Sequence, residues 1–126
     1  MLNYREFEAG PDPFGRKFRV YFKWIQNAIS IRHADTVDVK FVIDEEGGPR
    51  SEKTIALPHP DLVRLVAETG RPLDDPWCAR LAMAHLLYLI STGDDIEKDL
   101  VTVQYPDLKR YASELAREEQ SAVQAR

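Results

Sequence analysis

Apolar and polar residues alternate from Lys17 onward. Phe18, Val20, Phe22 and Trp24 share one face, and Lys17, Arg19, Tyr21, Lys23 and Ile25 share the other. A two-residue period in aromatic and branched side chains predicts a half-buried strand. Three further runs follow. Ile29 and Ile31 point inward, then Val37, Val39, Phe41 and Ile43, then Ile55 and Leu57.

Parity sets a register for these runs. A turn at Gln26-Asn27 pairs Trp24 with Ile29 and Phe22 with Ile31. A turn at Ala34-Asp35-Thr36 pairs Ile31 with Val39 and Ile29 with Phe41. A longer loop from Asp44 to Glu52 brings Phe41 to Ile55 and Val39 to Leu57. Each choice keeps the apolar side chains on one face, which is what specifies register in a sheet with one buried side. One long bent strand from Ala28 to Ile43 preserves the same parity, but Ala-Asp-Thr suits a turn and favours the hairpin. Residues 1–16, with Gly10, Pro11, Pro13 and Gly15, read as an irregular leader.

Beyond Pro58-His59-Pro60 the period lengthens. Asp61 to Thr69 predicts a short helix stopped by Gly70. Asp74-Asp75-Pro76 starts a second helix with a carboxylate cap and a first-turn proline, and Gly93 ends it. Its apolar residues lie all round the axis, so it needs cover on most sides. The segment Ile96 to Gln104 opens like a helix, whereas Val101-Thr102-Val103 favours a strand. The expectation is a short helix that becomes extended before Pro106, with an extra strand at 101–103 left open. A last helix runs from Pro106 to Gln120 with Leu108, Tyr111, Ala112 and Leu115 inward, and 121–126 forms a frayed tail. The fold class is therefore α+β. A four-stranded antiparallel meander over about 17–57 is packed on one face by about three C-terminal helices, in a single domain over 17–120.

Charge changes the picture modestly. The formal net charge is −4, and residues 1–58 balance nine Lys/Arg against nine Asp/Glu, so the negative excess lies in the helical half. That argues mildly against a dedicated nucleic-acid binder. The outer sheet face still gathers Lys17, Arg19, Lys23, Arg32 and Lys40 around Tyr21, opposed only by Asp38. Cations beside an exposed aromatic are able to hold phosphates and stack a base. A solvated face with one ion pair is the more ordinary reading.

Other chemistry is sparse. His33 and Asp35 have His-x-Asp spacing, but no third ligand stands near them, and turn chemistry accounts for both. Asp44-Glu45-Glu46 lacks the alternating ligands of a calcium loop. Cys78 and His85 share a helix about 10 Å apart along its axis, too far for a nucleophile–base pair. A pocket between sheet and central helix would take Trp24, Trp77, His85 and Tyr88 as its lining. No nucleophile elbow, phosphate loop or paired metal spacing is present. No catalytic residue, metal or cofactor is expected, and the reading leans away from an enzyme. The single cysteine suits a reducing compartment, and no secretory signal or membrane span is evident, so a cytoplasmic location is expected. Three functions remain. The first is a non-catalytic interaction domain, homodimeric because the central helix needs cover. The second is polyanion or nucleic-acid binding by the outer face, and the third is a ligand or enzyme pocket.

Overall fold

A computed structural model describes residues 3–29 and 35–124, with side chains to 120. Its elements are β1 (Glu6–Ala9), β2 (Phe18–Ala28), β3 (Thr36–Glu45), β4 (Arg50–Pro58), α1 (His59–Thr69), α2 (Asp75–Thr92), β5 (Leu100–Thr102) and α3 (Tyr105–Gln124). The five strands form one sheet in sequence order. The first four are an antiparallel meander, and β5 joins β4 in parallel. The α+β class, the meander and the three helices agree with the sequence pattern.

The meander is assembled from different segments than expected. Residues 6–9 are a strand rather than part of an irregular leader. Phe7 and Ala9 are buried while Glu6 and Glu8 face water, a short alternation hidden among glycines and prolines. The expected turn at Gln26-Asn27 does not form, because β2 continues through Ala28 and pairs directly with β3. Ile31, Arg32 and His33 lie outside the described residues. The loop after β3 is only Glu46–Pro49, so Val39 meets Ile55 and Val37 meets Leu57. That register differs from the expected one by two residues, which leaves every side chain on its expected face.

One irregularity changes faces. Phe22 pairs with Phe41 but Trp24 pairs with Lys40, so Lys23 is an extra residue in β2. A bulge of this kind inverts the alternation beyond it. Ile25 therefore turns toward the core opposite Val39, and Trp24 turns to the outer face. There the Lys40 ammonium lies 5.1 Å from the Trp24 ring centroid. Ile29, expected inside, is 86% exposed.

The core lies between the inner sheet face and the helices. Phe41 is fully buried, with Phe7 and Phe22 edge-on at 5.9 and 6.3 Å between ring centroids. The Asp74 carboxylate accepts from the Trp77 amide to begin α2, and Gly93 at φ 77° ends it. One side of α2 meets β1, β3 and β4, and the other meets α3. Trp77, Leu81, Ala82 and Leu86 are sealed by the chain itself. A second subunit is thus not needed to cover this helix. The expected short helix after Gly93 is a turn over 94–97, and the β-branched run forms β5. No helix among the described residues is long and apolar enough to cross a membrane.

Candidate functional site

The outer face comes first because sequence placed cations there. Arg19 donates to Glu6 at 3.0 Å and to Glu8 at 2.9 Å. Lys23 donates to Glu52 at 2.7 Å, and Arg50 pairs with Asp44 at 3.0 Å. The hydrogen bond from Lys23 holds the Glu52 carboxyl below its usual range, and Arg50 does the same for Asp44. Lys17, Arg19 and Tyr21 share a shallow cleft with Glu8, Asp44, Glu45 and Glu46. The acids come from β1 and from the close β3–β4 turn, neither of which parity alone had placed there. The face is a mixed-charge surface among the described residues, and Arg32 lies outside them.

The four expected pocket residues separate into three places. Trp24 is on the outer face. Trp77 is buried under the Arg71 guanidinium, 5.2 Å from its ring centroid. Only His85 and Tyr88 line a common cleft, of about 490 Å³. Its walls are the second half of α2, the turn after it, β5 and the start of α3. Asp94, Asp95, Lys98, Leu100, Val101 and Asp107 are among the other lining residues.

Helical spacing builds the cleft. His85, Tyr88 and Leu89 lie within one turn and project from one side of α2. Tyr111 faces them from α3, and its hydroxyl lies 2.9 Å from His85 Nδ1. The Arg110 guanidinium also donates to that hydroxyl, at 3.4 Å. The Tyr111 hydroxyl thus joins the His85 ring to the Arg110 guanidinium in one network. His85 itself is a residue of the cleft wall. Burial pushes the His85 pKa below 6.5, against the opposing pull of Asp107 and Asp95.

That shift has a definite sign. Between the lowered folded value and 6.5 the unfolded chain takes up a proton that folded His85 refuses. Its contribution to stability is therefore complete above 6.5 and declines as pH falls through that window. An NMR titration of the imidazole is expected to show a midpoint below 6.5, and a midpoint at or above that value removes the claim.

Lys53 holds the cleft's turn in place. It shares parity with Ile55 and Leu57 and so points inward, 8% exposed. Its ammonium donates to the carbonyls of Asp95 and Lys98 at 2.8 and 2.6 Å. Thr54 N–H donates to Asp99 at 2.7 Å beside it. The parity of Lys53 was readable in the sequence, but its partners 42 and 45 residues away were not. Likewise Tyr111 was readable as an inward residue of the last helix, without its link to His85. No group of three potential metal ligands occurs among the described residues. No protein-family model, curated protein or solved structure matches this chain.

Proposed function

We propose that this chain is a small non-catalytic interaction domain that pairs with a second copy of itself along the free edge of β2. The supporting observation is a mismatch of strand lengths. β1 pairs with β2 only from Phe18 to Tyr21, and Arg5 reaches Phe22. From Trp24 to Ala28, β2 is paired with β3 on one side and with no described strand on the other.

That segment, Trp-Ile-Gln-Asn-Ala, carries no charge and no proline. Soluble proteins ordinarily guard such edges with lysine, proline or a covering loop. The adjoining Ile29 side chain is exposed as well. A second copy is the occupant that fits best. Antiparallel pairing about a two-fold axis at Gln26 sets Trp24 against Ala28 of the other copy, large against small, with no like charges opposed. The exposed main-chain groups supply the affinity, as in strand addition generally.

Sedimentation equilibrium tests this directly. The parent is expected to be a dimer at micromolar concentration. Gln26→Lys places two ammonium groups face to face at the axis and is expected to weaken association at least tenfold. A monomeric parent, or a Gln26→Lys variant that dimerises unchanged, removes the reading.

A further inference from the structure

We propose that a second cavity, between the inner face of β2–β4 and the end of α2, binds a short apolar monocarboxylate with the Lys53 ammonium as its counter-ion. The cavity lies at the Phe18 end of β2, away from the unpaired Trp24–Ala28 segment, and does not depend on dimerisation.

Lys53 carries the argument. It is 8% exposed and lines the cavity, yet it forms no ion pair among the described residues. Its two hydrogen bonds go to main-chain carbonyls, those of Asp95 and Lys98. An ammonium has three hydrogens, so one is left without a protein acceptor among the described residues. A charge this sheltered is ordinarily paired. Burial holds the Lys53 pKa below the usual lysine value, against the distant pull of Asp95, Asp99 and Glu97. A carboxylate beside it would supply the missing acceptor and the missing charge together. Ser51 lies two residues earlier on the same face of β4 and also lines the cavity, so its hydroxyl is placed to serve the second oxygen.

The walls define the rest of the ligand. Phe18, Ile43, Leu89, Ile90 and Ile96 surround the space, which suits a hydrocarbon tail. Its volume of about 170 Å³ is below that of sites for drug-sized ligands, so the tail is short. Three acids also line the cavity and restrict the ligand's charge. Asp12 is neutralised by Arg16 at 2.7 Å and accepts two amides besides. Glu45 stands 3.9 Å from the same guanidinium, and Asp94 is exposed with no cation among its partners. A second carboxylate on the ligand would meet the charges of Glu45 and Asp94, so a dicarboxylate fits less well than a monocarboxylate.

The full chain titrated with hexanoate, followed by amide NMR shifts, tests the proposal. Saturable shifts are expected at Phe18, Ser51, Lys53 and Leu89. Hexanol has the same chain without the charge, and adipate adds a second carboxylate at the tail. Each is expected to bind at least tenfold more weakly than hexanoate. Lys53→Met keeps an unbranched apolar chain in place of the ammonium and should abolish the preference for hexanoate over hexanol. The proposal is overturned if hexanoate gives no saturable shift at these residues at millimolar concentration, or if hexanol binds the parent as tightly. A Lys53→Met variant that keeps the preference overturns it equally. Lys53 also ties the turn after α2, so if that variant gives an undispersed spectrum the hexanoate-to-hexanol ratio of the parent decides alone.

Discussion

Phe41→Ala is expected to destabilise the fold by about 3–5 kcal/mol, the range for deleting a fully buried phenylalanine. Phe41 has no exposed surface and stands at the crossing of two ring contacts, with Phe7 of β1 and Phe22 of β2. Removing the ring withdraws the common partner of both. Neither neighbour is free to fill the space easily, because each is fixed by its own strand pairing, Phe7 with Val20 and Phe22 with position 41 itself. Domains of this size have total stabilities of about 5–15 kcal/mol, so the variant would lose a large share. Urea unfolding of the parent, Phe41→Ala and the milder Phe41→Leu would measure it. A loss below about 1 kcal/mol for the alanine variant would show that the three rings do not form a close-packed unit.

Gly10→Ala is expected to have the next largest effect, through the backbone rather than the core. Gly10 has φ 109°, where a side chain is strained, and an added Cβ would lie 2.7 Å from the Arg16 carbonyl oxygen. That oxygen already accepts the Asp12 N–H at 3.0 Å, so a shift would break a hydrogen bond in the β1–β2 connection. The Asp12 carboxylate is tied into the same loop, accepting from the amides of Phe14 and Arg16 and from the Arg16 guanidinium. Backbone strain alone costs roughly 1–3 kcal/mol at such positions, and the contact adds to it. Because the loop registers β1, exchange protection of Phe7 and Ala9 amides should fall further than that of β3. A Gly10→Ala protein as stable as the parent would contradict this account.

What the sequence revealed depended on how local the determinant was. Helix α2 was legible to its ends because Asp74, Pro76 and Gly93 act within a turn of where they stand. The buried faces of β3 and β4 were legible because parity survives a register error of two residues. Trp24 was misplaced because a bulge leaves no mark on hydrophobic alternation: Phe22-Lys23-Trp24 reads as unbroken. The charged face was misjudged for a related reason. Its carboxylates come from β1, too short to read as a strand, and from a tighter β3–β4 pairing than the loop composition implied. His85 and Tyr88 were picked out in the sequence as lining of a pocket between sheet and central helix, whereas the cleft they share lies between α2, β5 and α3. Asp107 reaches it only through the return of the chain at β5.

That return shapes how the cleft comes into being. Strands β1 to β4 neighbour one another in sequence, so each pairing closes a short loop. Joining β5 to β4 instead closes the whole stretch containing α1 and α2, with its larger cost in chain entropy. The reward is three strand residues, the two Lys53 hydrogen bonds and the seating of α3. Anything bound between α2, β5 and α3 draws on that same closure. A molecule that bound there only in the folded chain would stabilise that closure by mass action and so act as a clasp on the C-terminal third of the chain.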